Sequence, residues 1–379
     1  MSTPKILILT ISHGAAHQRV AAALRKALLD IQPELTVEVA NALAHCARWF
    51  RAYYDSYEIP LKYWPGLWGW IEGKQHSHTS TGPGWLYRAG GKGLFRFMDE
   101  FRPDIVVATE VGTCELAALH KRESHAGYFL VGATAGVDVD RPWAQPEVDL
   151  YPIMPGDVAA QLIAAGVPPD KLLPCGVPID PAFGSLDDRN EVRARLGVVT
   201  NLPLILVLFG GSGHGRPRQI VDQIEKVALP LQAVFITGRN RQMEEDLRHH
   251  FESRPQFRAQ GWVNNMHEWL AAADLLVSKP GGMTITEAIN TGIPLLAIDP
   301  QPGAEVRACA LIEQWQVGFW VRKHADLART LTRCLENPAE LEQLRARARA
   351  LARPHAARDA AAAILQQWHE RSQTRTKSG

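Results

Sequence analysis

Three short stretches of the 379-residue chain place glycine, hydroxyl and titratable side chains where they could do chemistry: SHGAAHQR (12–19), FGGSGHGR (209–216) and KPGGMTITE (279–287). Each follows an apolar run that reads as a buried strand and precedes a segment with helical spacing. A glycine turn at the carboxyl end of a parallel strand exposes the free amides of a helix N-terminus. Those amides and the helix dipole favour an anion, typically a phosphate. One such turn is a weak signal, since glycines also serve simply to turn the chain; three at equivalent places in two matched halves are a better one. None has Walker A spacing, and the first lacks a full GxGxxG, which disfavours a nucleotide triphosphatase and a dinucleotide dehydrogenase.

The third turn carries the most chemistry. Gly281 and Gly282 allow close backbone approach to a ligand, Thr284 and Thr286 supply hydroxyls, and Thr284 is also a candidate helix cap. Glu287 is expected in the first helical turn. There it either accepts hydrogen bonds from two adjacent sugar hydroxyls or serves as a helix-dipole partner worth ~0.3–1 kcal/mol. The pair His76 and His78 has no evident carboxylate or cysteine partner, so no metal site is assigned.

The elements that must hold these turns alternate. Strands are predicted at 5–10, 36–41, 105–109, 128–134 and 149–154, with a helix over 17–31. A proline-rich segment, LLPCGVPIDPAFG (172–184), reads as a linker. The alternation then restarts, with strands at 202–211, 231–238, 257–263, 274–278, 294–299 and 318–321 and a helix over 219–228. The fold class is therefore α/β, two Rossmann-like doubly wound domains in tandem with a cleft between them. The expected boundaries are 1–180, joined by a C-terminal helix at about 355–372, and 181–354. That C-terminal helix pattern breaks at Pro354, and the polar tail RSQTRTKSG is expected to be disordered.

Composition narrows the function classes. A net charge of +1 gives no global field for nucleic acid. Five scattered cysteines without a CxxC pair fit a reducing compartment. No stretch approaches the ~20 apolar residues of a membrane span, and no signal peptide is read at the N-terminus. The expected location is cytoplasmic, with peripheral contact on the inner face of the membrane. Between 47 and 74, Trp49, Tyr53, Trp64, Trp68 and Trp70 crowd together with Arg48, Arg51, Lys62 and Lys74. Such rings favour a bilayer interface, and the prolines at 60 and 65 argue against a regular core helix.

GWVNNMHEWLAAADLLVSKPGGMTITEAINTGIPLLAI (261–298) resembles the donor half of glycosyltransferase family 28, and within it the monogalactosyldiacylglycerol synthases and processive diacylglycerol glucosyltransferases. SHGAAHQRVAAAL, GDVAAQLIAAGVPPDKLLPCGVPIDPAF and FGGSGHG agree in the right order along the chain. The resemblance implies the two-domain GT-B fold, a UDP-sugar donor, a diacylglycerol-like lipid acceptor at the membrane surface and no metal or other cofactor. It implies His17 as general base, Gly211 and Ser212 facing the diphosphate, and Val263 and Met266 reading the uracil. Gly282, Thr284 and Thr286 match the phosphate turn, Glu287 the ribose-binding glutamate, and Glu305 the glutamate of the PGQExxN motif. The chain departs from the family at Ala304 and Ala308 in that motif, and at Ala135 and Asp140 in the acceptor half, which leaves the sugar and the acceptor open. A UDP-sugar epimerase of the same fold and a non-catalytic nucleotide-sugar binder are the alternatives. Processivity and oligomeric state are not read from the sequence.

Overall fold

The computed structural model describes residues 3–12, 15–56, 64, 66, 82–211, 213 and 215–378, with side chains to 374. The chain divides into two compact units, Met1–Pro181 with Arg353–Gly379, and Ala182–Ala352.

The first unit is built on a parallel sheet of order β2-β1-β3-β4, from β1 (Lys5–Thr10), β2 (Thr36–Asn41), β3 (Ile105–Ala108) and β4 (Phe129–Gly132). Ile6 to Leu9 and Ile105 to Ala108 have no exposed surface. Continuous apolar runs, rather than alternation, are what a sheet covered on both faces requires. The edge extends through a parallel bridge from Val131 to Leu150 toward the short pair β5 (Tyr151–Pro152) and β6 (Leu172–Leu173). Helix Ala15–Ile31 buries Val20, Ala21, Ala23, Leu24, Ala27 and Leu28. The last helix, Ala356–Ser378, packs against it. The small side chains Ala356, Ala357, Ala360 and Ala361 are buried, so the alanine-rich sequence marks a packed face.

The second unit has a six-stranded parallel sheet of order β12-β11-β10-β7-β8-β9. Its strands are β7 (Leu204–Leu208), β8 (Gln232–Ile236), β9 (Phe257–Gln260), β10 (Leu275–Ser278), β11 (Leu295–Ala297) and β12 (Gly318–Trp320). The chain runs outward from β7 to β9, then returns to the other side of β7 and runs outward again. This reversal makes the carboxyl ends of β7 and β10 a topological switch point, the usual ligand crevice of such sheets. The corresponding reversal in the first unit lies between β1 and β3.

Several expectations need correction. The proline-rich segment 172–184 carries the chain from the first unit to the second at Pro181–Ala182, and it is packed as well: Cys175 to Ile179 are buried in the first unit. The polar tail is helical to Ser378, and its Arg371 pairs with Asp149 at 2.7 Å. Predicted strands 128–134, 257–263 and 294–299 overshoot, because apolar residues continue past the last ladder pair into the turns. The aromatic stretch begins with a regular helix, Arg48–Asp55, whose Phe50 is fully buried.

Candidate functional site

In the second unit the site starts from strand register. Ser278, the last residue of β10, is level with Leu208 of β7 and Ala297 of β11. Its hydroxyl donates to the Leu208 carbonyl at 3.2 Å. Two of the three glycine turns therefore leave the sheet side by side.

The turn at 209–216 is folded onto the next crossover. The Arg239 N–H donates to the Gly211 carbonyl at 3.0 Å, and the Asn240 side-chain amide donates to the Gly213 carbonyl, also at 3.0 Å. A Cβ on Gly213 would stand 2.4 Å from the Thr237 carbonyl oxygen, so packing alone demands glycine there. Gly281 is different. It has an ordinary φ of −65° and caps helix Gly282–Thr291 with no side-chain hydrogen bond. A Cβ there would meet nothing closer than 3.9 Å. The fold does not require that glycine, and the space in front of the backbone is open beside the uncapped first amides of the helix.

Placement of the other candidates in this unit is mixed. Gly282 and Thr284 are partly exposed in the first helical turn. Thr284 does not cap the helix, since Gly281 holds that position. Thr286 is buried, and its hydroxyl donates to the Gly282 carbonyl at 2.9 Å, so its proton is committed to the helix. Glu287 lies in the second turn, not the first, and is only 3% exposed. A dipole contact at the helix end is therefore not its role. Val263 lies in the turn after β9, and Met266 opens helix Met266–Ala272. Glu305 lies in the first turn of helix Ala304–Gln314, where Oε2 accepts the Gln301 N–H at 2.7 Å. Ser212 falls outside the described residues.

Sequence reading missed two features at the same carboxyl edge. Asp299, just past β11, has φ 51°, a left-handed conformation that aspartate reaches more readily than most residues. Its Oδ2 accepts from His324 Nε2 at 3.0 Å. The Arg239 guanidinium lies 4.6 Å over the ring of Trp262, which is 44% exposed beside Val263. No local sequence signal marks either pair, because each joins residues far apart in the chain.

In the first unit, His17 is the third residue of helix Ala15–Ile31, after the turn that follows β1. Its Nδ1 lies 2.7 Å from the carbonyl oxygen of Thr109, just past β3. A carbonyl only accepts, so Nδ1 carries the proton and Nε2 keeps a lone pair. Burial lowers the imidazole pKa from 6.5, and the weaker pull of the Thr109 bond raises it; the net direction is down. The ring is therefore neutral at pH 7, the form in which Nε2 can take a proton.

In the same unit, helices Arg48–Asp55 and Gly84–Gly90 pack through Phe50 and Tyr87, ring centroids 5.4 Å apart. Trp49, Tyr53 and Trp85 remain 47%, 43% and 65% exposed, and Trp64 is 60% exposed. Trp85 extends the aromatic set beyond the stretch singled out in the sequence. Trp68, Trp70, His76 and His78 lie outside the described residues. Among the described residues, no group of three or more metal-binding side chains occurs, and no helix is long and apolar enough to cross a membrane.

Comparison with known proteins bears on the family and the fold. Residues 17–179 match the model of the monogalactosyldiacylglycerol (MGDG) synthase family, and residues 189–351 that of glycosyl transferases group 1. The chain is 22% identical to a processive diacylglycerol beta-glucosyltransferase of Bacillus pumilus, over 96% of this chain and 95% of the relative. Among solved structures it is similar to Anabaena HepE in complex with UDP-glucose, at TM-score 0.53 and 16% identity, covering 98% of this chain and 100% of that one. It is also similar to UDP-GlcNAc 2-epimerase from Neisseria meningitidis bound to UDP-GlcNAc, at TM-score 0.59 and 14% identity, covering 96% and 100%. These structural likenesses concern the fold alone.

Proposed function

The chain belongs to the glycosyltransferase family 28-like hexosyltransferases of GT-B fold, related to the MGDG synthases, and from that premise we propose that it moves a hexose from a UDP-sugar to a hydroxyl of a diacylglycerol-like lipid at a membrane surface, without a metal. The observation that carries the reading is the paired departure of the two glycine turns from Leu208 and Ser278 at the switch point of the second unit's sheet.

The chemistry needs two groups of opposite character. A lipid hydroxyl is a weak nucleophile, so a base must accept its proton as its oxygen attacks the sugar C1. His17 Nε2 takes that proton while the Thr109 carbonyl holds the ring through Nδ1–H. The C1–O bond to the nucleotide breaks in the same event, and the electron pair leaves on the diphosphate of UDP. The open amides at the start of helix Gly282–Thr291 face that developing charge, and their orientation is fixed before reaction. Gly211 and Ser212 complete the diphosphate turn; Val263 and Met266 frame the uracil; Glu287 receives the ribose hydroxyls; Glu305 lies on the sugar side.

The exposed Trp49, Tyr53, Trp64 and Trp85 supply the membrane contact, with Arg48, Arg51 and Arg88 in the same helices. On this reading the protein acts peripherally, on the inner face of the membrane. Diacylglycerol-like acceptors are carried over from the name of the Bacillus relative, and the UDP-sugar donor from the ligand of HepE.

The test is incubation with separate UDP-hexoses and vesicles containing diacylglycerol, with mass spectrometry of the lipid phase. A glycolipid that appears only with both substrates supports the reading. Conversion of the UDP-sugar without lipid supports an epimerase instead.

A further inference from the structure

Resting on that reading, we propose that Lys279 is the fixed counter-charge of the leaving diphosphate, taking the part that a divalent cation plays in metal-dependent transferases. The register places it. Ser278 ends β10 level with Leu208 and Ala297, so Lys279 is the first residue past the sheet at the switch point. It stands two residues before the uncapped N-terminus of helix Gly282–Thr291.

Its surroundings distinguish it from the other lysines. Three lysines are partly buried among the described side chains: Lys121, Lys171 and Lys279. Lys121 pairs with Asp149 at 2.5 Å, and Lys171 donates to the carbonyls of Val148 and Pro146 at 2.6 and 3.0 Å. Lys279 alone of the three has no side-chain hydrogen bond or ion pair within the described residues. The nearby acids are engaged elsewhere: Asp299 accepts from His324, and Glu305 accepts the Gln301 N–H. No acidic residue occupies the first turn of helix Gly282–Thr291, and none occurs in 209–216.

A partly buried ammonium gives up part of its hydration, and with neither carboxylate nor carbonyl bound within the described residues Lys279 is left to gain from an anion brought to it. Lysine binds phosphate as a point charge, without the geometric demand of arginine. The negative charge on the diphosphate grows as the C1–O bond breaks. A cation fixed there therefore interacts more strongly with the transition state than with the bound donor, and raises kcat as well as affinity.

The experiment measures binding of UDP, UMP and uridine by calorimetry to the wild type and to Lys279→Gln and Lys279→Arg, with thermal melts of all three proteins. The proposal expects Lys279→Gln to weaken UDP by about 10–100-fold, UMP less, and uridine not at all, at an unchanged Tm. Lys279→Arg recovers most of the UDP affinity. In the transfer assay, kcat of Lys279→Gln falls while KM for the lipid is unchanged. UDP affinity within about twofold of wild type in Lys279→Gln overturns the proposal. So does an equal loss for uridine, which marks a structural lysine. Failure of the wild type itself to bind UDP overturns both this role and the reading of the site, and is recognised before any variant is compared.

Discussion

At the residue scale the reading concentrates on His17. Its ring nitrogens are assigned by one contact, Nδ1 to the Thr109 carbonyl, 92 positions away. His17→Ala is expected to lower kcat by about 10²–10⁴-fold, the span of general-base catalysis, with UDP affinity unchanged in calorimetry. Loss of UDP binding in that variant would contradict the division of roles between the units. The lowered pKa also sets a pH limb. Protonation removes the base, so kcat/KM falls on the acid side, at a pH below 6.5 rather than at it. The same shift bears on stability. The folded state binds the proton less readily than the unfolded one, so this residue costs stability as pH drops below 6.5 and costs nothing above it. If Glu287 receives the ribose hydroxyls as proposed, Glu287→Ala should weaken UDP about tenfold or more, because a buried carboxylate that accepts those hydroxyls is removed; unchanged affinity would remove it from the site. The sequence nominates these residues, but it does not show their surroundings. Nothing local announces that Thr109 holds His17, that Thr286 spends its proton on Gly282, or that Glu287 is one turn deeper than its spacing suggested.

At the element scale, the strands were legible because a sheet buried on both faces leaves unbroken runs such as LILVL and KILILT. Their ends were not, since ladder pairing stops before the apolar residues do. The amino end of the second sheet depends on a network that no motif reveals. Asp274, just before β10, accepts from Arg189 at 2.5 Å, Arg193 at 2.7 Å, Arg345 at 3.3 Å and the Leu204 N–H at 2.8 Å. Burial pushes its carboxyl pKa up, but Arg189, the Leu204 N–H and Arg193 together outweigh burial and the net shift is downward. Its contribution is therefore complete above the ordinary value of 3.8 and is lost as pH falls through the lower folded value. Asp274→Ala leaves the buried Arg193 without its carboxylate and should cost about 3–5 kcal/mol in urea unfolding at pH 7. A loss under about 1 kcal/mol would mean the arginines find other partners. The helices carrying Trp49 and Trp85 make a separate prediction. Replacing both with Ser removes exposed rings without opening the Phe50–Tyr87 contact. Vesicle affinity should fall about tenfold in sedimentation, with Tm unchanged; unaltered vesicle binding would place the membrane contact elsewhere. Trp85 escaped the sequence reading because it lies beyond the dense aromatic run, on a second helix that packs against Arg48–Asp55.

At the scale of the whole molecule, the account divides labour between two sheets of like topology. The first unit holds a neutral imidazole at its β1–β3 reversal, and the second opens amide-lined turns at its β7–β10 reversal. The likeness to the MGDG synthases and the fold were legible from motif order over most of the chain. The sugar was not, because Ala304 and Ala308 replace the residues that would have suggested it. The most direct measurement is a crystal structure of the protein soaked with UDP. The account predicts diphosphate density against the backbone amides of Gly282 to Thr284 and the turn at Gly211, with the uracil beside Val263. Nucleotide bound at any other place, or those amides left unengaged by the diphosphate, would contradict it.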